Sequence, residues 1–210
     1  MEKQQSSSFI RFFTTLDAVT KVLLVINVIA YLLILIEFKK EAIYGLDIEH
    51  IIQVGGVSGE SNWTTILISM FIHYNLMHVM VNMAILVMLS RMITHYFSPM
   101  TYLGVYLFSG IIGNIITKDF APNIVSLGAS GGIYGLIGLL LLSALIKKKY
   151  PDLNDMFLII LVMAITFVVL SFLSPISNNI SHIAGMSVGV VLGLFIQIFK
   201  CEVIRESDYG

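Results

Sequence analysis

Six long apolar stretches run through this chain and constrain its fold more than any other feature. They cover approximately residues 19–36, 64–90, 99–117, 129–146, 156–173 and 180–199. As helices rising about 1.5 Å per residue, they are long enough for a hydrocarbon core of about 30 Å. They lack the alternation over about ten residues that marks membrane β-strands. The sequence therefore predicts an all-α polytopic membrane protein with a bundle of six transmembrane helices.

The overall composition agrees with this fold class. Of 210 residues, 57% are hydrophobic and only 12% are charged, about half the charged fraction of a soluble domain. The formal net charge is −1 and no basic cluster indicates a nucleic-acid partner. We expect a single membrane domain over residues 19–199, with cytoplasmic segments at 1–18 and 200–210.

The distribution of Lys and Arg predicts the orientation. Six spans put both termini on one side of the membrane, and the twelve basic residues divide nine to three between the two sides. The terminal side holds Lys3, Arg11, Lys21, Arg91, Lys147, Lys148, Lys149, Lys200 and Arg205, and the other side holds Lys39, Lys40 and Lys118. Because basic residues concentrate in cytoplasmic loops, we predict a multi-pass cell-membrane protein with both termini in the cytoplasm.

The ionisable side chains at membrane depth are mainly histidines. All thirteen Asp and Glu fall outside or at the edges of the six stretches, whereas His73, His78 and His182 lie within them. An intramembrane aspartyl protease needs two buried aspartates, and the segment HYNLMH lacks the Glu and the spacing of an H-E-x-x-H zinc site. Proton-coupled transporters usually carry membrane carboxylates. These classes are disfavoured, and we predict no metal and no cofactor.

One serine stands among glycines where the fourth stretch begins, in the segment SLGASGGIYGLIG at 126–138. Ser130 falls near a helix N-terminus on the outer side, where the first N–H groups have no intrahelical partner. Gly128 and Gly131 leave the backbone beside it open to close approach. Taken alone, Ser130 is compatible with packing, with a helix cap or with a nucleophile.

A histidine occupies the corresponding place in the sixth stretch. His182 enters the membrane from the same side as Ser130 and at a similar depth. Glycines follow both side chains at helical spacing, which lets two membrane helices approach closely. Gly131, Gly135 and Gly138 follow Ser130, and Gly185, Gly189 and Gly193 follow His182. Close packing of these helices would bring the Ser130 hydroxyl within hydrogen-bond reach of an imidazole, the arrangement of a base-activated nucleophile.

A pair of candidate donors lies in the second stretch. His78 and Asn82 are four residues apart, so they share one helix face. Acyl transfer needs preorganised donors for an oxyanion, and an imidazole and a carboxamide supply them. The alternative is that Asn82 bonds a neighbouring helix. His73 lies about 140° around the same predicted helix from His78, so we expect a structural role for it.

These segments resemble the signature segments of the rhomboid intramembrane serine proteases. HYNLMHVMVN, GASGGIYG and SHIAGMSVG match the family patterns H-x-x-x-N, G-x-S-G and H-x-x-G in the same order. The resemblance implies that Ser130 is the nucleophile and His182 the general base, and that His78, Asn82 and the Ser130 backbone N–H stabilise the oxyanion. It also implies that Tyr134 stacks on the catalytic histidine. The matching glycines are Gly128, Gly131 and Gly185.

One position departs from the family pattern. The family commonly has Trp-Arg just before the second span, whereas this chain has Trp63 followed by Thr64. The departure affects the external loop rather than the predicted chemistry. Without an added domain or a seventh span, the chain resembles the minimal six-span prokaryotic type.

The resemblance implies an intramembrane serine endopeptidase that cleaves transmembrane segments of other membrane proteins near the outer face of the membrane. Its partners would be those substrates and membrane lipid. The fifth span and the loop at 174–181 are candidates for a moving gate. Two alternatives stay open, a non-proteolytic rhomboid-like protein that binds transmembrane clients and a small-solute transporter.

Overall fold

The computed structural model describes residues 14–146, 150–174 and 176–199. Six long helices dominate these ranges. They are α1 (Ala18–Phe38), α2 (Leu76–Tyr96), α3 (Pro99–Phe120), α4 (Ser130–Leu145), α5 (Phe157–Leu173) and α6 (Asn179–Phe199). The N-terminal segment up to residue 13, the tail from Lys200 and the basic residues at 147–149 lie outside the described ranges. The orientation inferred from those charges therefore stays a prediction.

The predicted fold class is confirmed, because the six apolar helices form one polytopic bundle. Four of them are long and apolar enough to cross a membrane by themselves, with 21 or 22 residues each. The other two, α4 and α5, have 16 and 17 residues. At 1.5 Å per residue, α4 is only about 24 Å long, which is less than the hydrocarbon thickness of about 30 Å.

Helix α4 is the centre of the bundle. It packs against α2, α3, α5 and α6, and most of its residues are buried. A short helix is tolerated here because neighbouring helices, rather than lipid, cover most of its surface. The end of α4 that begins at Ser130 lies against α6.

The closest packing in the bundle is between α4 and α6, and glycines make it possible. A Cβ atom on Gly185 would overlap the carbonyl oxygen of Gly131, and one on Gly189 would overlap that of Gly135. On the α4 side, a Cβ on Gly138 would overlap the carbonyl oxygen of Met186. The two backbones are thus in direct contact, as the glycine spacing predicts.

The second apolar stretch does not form one helix from residue 64 to 90, and this part of the prediction was wrong. A short helix at Trp63–Ile68 and a 3-10 turn at Ser69–Phe71 come first, and α2 then begins at Leu76. The Asn75 side chain accepts a hydrogen bond of 2.7 Å from the His78 backbone N–H. Asn75 is therefore an N-cap, and the cap sets the start of α2 well inside the apolar stretch.

The loop between α1 and α2 is folded against the segment that leads into α2. It contains short helices at Lys40–Tyr44 and Ile48–Gln53. Ala42 and Leu46 pack with Ile34 and Ile72 in a second, smaller apolar cluster. This packing fixes the entry of the chain into the segment that carries His73 and His78.

Candidate active site

Ser130 is the first residue of α4 and follows a tight turn. Gly128 has a φ of 109°, a conformation that glycine adopts without a steric cost. Its N–H donates a 2.8 Å hydrogen bond to the carbonyl of Ser69. Ala129 occupies the N-cap position and no side chain caps the helix. Ser130 is therefore not a helix cap, and its hydroxyl contacts α6 instead.

The Ser130 hydroxyl meets the imidazole of His182. The distance from Ser130 Oγ to His182 Nε2 is 2.7 Å, which is a hydrogen bond. The ring of Tyr134 stacks on the His182 ring, with centroids 4.3 Å apart and an interplanar angle of 8°. The Tyr134 hydroxyl in turn donates a 2.6 Å hydrogen bond to the Phe167 carbonyl of α5. The imidazole is thus held flat against α4, facing Ser130.

The second nitrogen of His182 has a partner that the sequence analysis missed. Ser171 Oγ lies 2.6 Å from His182 Nδ1, and the Ser171 hydroxyl donates to Asn179 Oδ1. Ser171 belongs to the last turn of α5, and Asn179 is the first residue of α6. Among the described residues no carboxylate is hydrogen-bonded to the His182 ring, and a neutral hydroxyl–amide pair occupies that place. A lone serine at the end of an apolar stretch carries no spacing signal that would have singled it out.

His78 lies beside the turn that precedes Ser130. A Cβ atom on Gly128 would stand 2.7 Å from His78 Cε1 and 3.0 Å from His78 Nε2. Only a glycine therefore lets the His78 ring sit against this backbone. Asn82 is buried one turn further along α2, and its Nδ2 donates a 2.9 Å hydrogen bond to the His78 carbonyl. The structure brings His78 next to the Ser130 turn, whereas Asn82 donates within its own helix.

The expected position of His73 was wrong, because this residue is not part of α2. It lies in the irregular segment before the Asn75 cap. Its buried ring contacts the His78 ring edge-on, with centroids 4.9 Å apart, while Tyr74 contacts His78 at 4.8 Å. His73 and Tyr74 hold the His78 ring in place by packing.

Polar residues of α3 anchor both the serine turn and the histidine helix. Asn114 Nδ2 donates to the Ile66 carbonyl and to Ser69 Oγ, each at 2.9 Å, and its Oδ1 accepts from Ser126.

One turn later on α3, Thr117 Oγ1 accepts a 2.8 Å hydrogen bond from Asn178. The Asn178 carboxamide also accepts from the Ser181 N–H, which caps α6 just before His182. Polar residues inside an apolar stretch are a signal for function, and attention to Asn114 and Thr117 would have found this anchor.

These contacts assemble the chemical groups of an acyl-transfer site at one end of the bundle. The serine hydroxyl faces a histidine nitrogen, and the N–H groups of the first turn of α4 lack intrahelical acceptors. Among the described residues, no group of three or more His, Cys, Asp or Glu side chains could hold a metal ion. The contact between the serine hydroxyl and the histidine nitrogen is suited to base-activated nucleophilic attack.

Comparison with known proteins also points to the rhomboid family. The family model described as the Rhomboid domain matches residues 60–198. The chain is 29% identical over 157 residues to the rhomboid-family protein YdcA of Bacillus subtilis, a match that covers 74% of this chain and 75% of YdcA. It is also 29% identical over 135 residues to the Rhomboid-type serine protease 2 of Emericella nidulans, across 63% of this chain and 26% of that one.

A third relative is named as inactive. The Inactive RHOMBOID-like protein 8 of Arabidopsis thaliana is 30% identical over 123 residues, covering 57% of this chain and 34% of its own length. The chain thus spans about a quarter of this fungal relative and between about a third and a half of the plant relatives. Active and inactive relatives share this level of similarity, and the chemical groups at the site are what distinguish them.

Proposed function

The chain belongs to the rhomboid family of multi-pass membrane proteins, and from this premise we propose that it is a serine endopeptidase that cleaves transmembrane segments of other membrane proteins. The observation that carries the proposal is the 2.7 Å contact between Ser130 Oγ and His182 Nε2. An inactive relative needs neither a nucleophile nor a base, and this chain has both in hydrogen-bonding geometry.

In the proposed reaction, the Ser130 hydroxyl donates its hydrogen bond to His182 Nε2 and attacks the scissile carbonyl carbon. His182 takes the hydroxyl proton as the C–O bond forms, and then gives that proton to the leaving amine as the C–N bond breaks. Water hydrolyses the resulting ester of Ser130, with His182 again as the base. The sequence of steps uses no metal and no cofactor.

Oxyanion stabilisation is assigned to groups around the Ser130 turn. The Ser130 N–H begins α4 and has no intrahelical acceptor, and the His78 imidazole lies against Gly128. Asn82 has a second amide hydrogen besides the one given to the His78 carbonyl, and this hydrogen is its proposed contribution. Preorganised donors of this kind stabilise developing negative charge with little reorganisation.

The proposed substrate is a transmembrane helix that unwinds locally at the cut site. Helical backbone keeps its carbonyls in intrahelical hydrogen bonds, so attack requires some of these bonds to open. Small or helix-breaking residues near the cut site reduce that cost. The end of α4 that carries Ser130 is the proposed place for a substrate segment drawn out of the hydrocarbon core, and α5 with the segment that joins it to α6 is the proposed entrance. By the charge distribution, this end faces the outside and the termini face the cytoplasm.

Reconstituted protein and a single-span test substrate would test the proposal. The native chain is compared with Ser130→Ala and His182→Ala in the presence of a metal chelator, and cleavage is read on a gel. We expect cleavage by the native chain alone. Equal cleavage by all three proteins would refute the proposed roles of Ser130 as nucleophile and His182 as base, the catalytic dyad.

A fluorophosphonate probe gives a readout that does not depend on the choice of substrate. We expect it to label Ser130 in the native chain and not in Ser130→Ala. Failure of both cleavage and labelling would favour a non-proteolytic protein that binds transmembrane clients. Solute transport that survives Ser130→Ala would favour a transporter instead.

A further inference from the structure

The nitrogen of His182 that faces away from Ser130 is held by a polar pair at the junction of α5 and α6. Ser171 is 6% exposed, and its Oγ lies 2.6 Å from His182 Nδ1. The same hydroxyl donates to Asn179 Oδ1. The hydroxyl therefore has two partners from another helix, and its contacts are not those of a serine bonded back to its own helix.

With Asn179 Oδ1 as the atom that faces Ser171 Oγ, the donor and acceptor capacities of the three groups determine where the hydrogens lie. A carboxamide oxygen only accepts hydrogen bonds, so the single hydroxyl proton of Ser171 goes to Asn179. A lone pair of Ser171 Oγ is left facing His182 Nδ1, and a hydrogen bond there requires an Nδ1–H. A neutral imidazole carries one N–H. Nε2 must then present its lone pair to Ser130, which is the tautomer that a general base needs.

We infer that Ser171 and Asn179 are positioning residues that set the tautomer and the ring orientation of His182 as a general base. This inference rests on the proposed function. The pair takes the place that a buried carboxylate occupies in Ser-His-Asp triads, where a wrong tautomer severely lowers the rate. No bond is made or broken at Ser171. When His182 becomes an imidazolium, its Nδ1–H still donates to the same oxygen, so the pair serves every step.

A second consequence concerns α5. Ser171 ties the outer end of this helix to the base, and the Tyr134 hydroxyl ties the Phe167 carbonyl of the same helix to the aromatic ring that stacks on the base. The two contacts lie one turn apart on α5. The orientation of His182 therefore depends on where the outer end of α5 stands relative to α4 and α6.

Two substitutions at Ser171 that have the same shape as each other separate a positioning role from a packing role. Threonine keeps the hydroxyl and adds a methyl group, whereas valine has the shape of threonine with a methyl group in place of the hydroxyl. We expect Ser171→Val to lower kcat about 10- to 100-fold with little change in KM, because a general base contributes about 10²–10⁴-fold in rate. Ser171→Thr should recover most of kcat. Ser187→Val is the matched control, since Ser187 lies on the exposed side of α6 and bonds only its own helix.

Asn179 offers an independent pair of variants. Asn179→Asp keeps an oxygen that accepts the Ser171 proton, and the negative charge suits a helix N-terminus. Asn179→Leu removes the acceptor, so the Ser171 hydroxyl can turn and donate to Nδ1, which favours the wrong tautomer. We expect Asn179→Leu to lower kcat and Asn179→Asp to retain more of it. Equal kcat in the native chain, Ser171→Val and Asn179→Leu would overturn the inference.

The tautomer itself is measurable without any turnover. In protein labelled with ¹⁵N-histidine, with His182→Ala used to assign the signals, we expect native His182 to show a protonated Nδ1 and an unprotonated Nε2. Ser171→Val should show a mixture of both tautomers. A native Nε2–H form would overturn the inference whatever the activity. Because this readout needs no substrate, its failure is distinguishable from failure of the proposed protease function, which the fluorophosphonate probe reports.

Discussion

The contact between α4 and α6 makes a quantitative prediction for Gly185→Ala. A Cβ atom at this position would overlap the carbonyl oxygen of Gly131 and would stand 3.1 Å from its carbonyl carbon. All the opposing atoms belong to backbone, so no side-chain rotation relieves the overlap. Ordinary carbon contacts lie at about 3.5–4.0 Å, and α6 must therefore move away from α4 by about 1 Å.

The displacement acts directly on the proposed dyad. Gly185 follows His182 by less than one helical turn, and Gly131 is the residue after Ser130. Moving the helices apart by about 1 Å lengthens the 2.7 Å contact between Ser130 Oγ and His182 Nε2 beyond hydrogen-bond distance. A misplacement of this size costs about 10² in rate, or roughly 2.7 kcal/mol of transition-state free energy. Overpacking also lowers the free energy of unfolding by about 1–3 kcal/mol.

The assay compares Gly185→Ala with Gly104→Ala in reconstituted protein. A Cβ on Gly104, in the second turn of α3, meets no atom within 4 Å, so this control should keep native activity and gain a little helix stability. Rates of substrate cleavage and of fluorophosphonate labelling are normalised to the folded fraction. If folded Gly185→Ala cleaves and labels at the native rate, the link from helix packing to the position of the dyad is refuted.

Three further substitutions test other parts of the site. Gly128→Ala should lower kcat strongly, because the φ of 109° is strained for alanine and the added Cβ stands 2.7 Å from His78 Cε1. Measuring both kcat and the thermal midpoint of this variant separates a loss of activity from a loss of stability. Asn114→Leu should lower the free energy of unfolding by about 1–3 kcal/mol, because Ser126 and the Ile66 carbonyl lose their buried partner. Denaturant titration measures this free energy, and an unchanged value would contradict the anchoring role of Asn114. Tyr134→Phe keeps the ring that stacks on His182 and loses the hydroxyl that bonds the Phe167 carbonyl. It should lower kcat less than Tyr134→Leu, and the reverse order would contradict the stacking role.

The sequence alone determines the fold class and the family of this protein. Apolar stretches of helical length specify membrane helices because lipid leaves backbone groups no other partners. The order of the short polar motifs, together with the glycine spacing on α4 and α6, also predicted which helices approach most closely. These features can be predicted from the sequence because each depends on residues that lie close together in the chain.

Only the tertiary structure decided which residues far apart in the sequence contact each other. The start of α2 depends on a single cap at Asn75, and the contact of His73 with His78 follows from that break rather than from helical periodicity. Ser171 belongs to α5 and reaches His182 on α6 only because both helices pack around α4. A hydroxyl on an apolar helix has no pattern in the sequence, because its partner is set by packing and not by spacing along the chain.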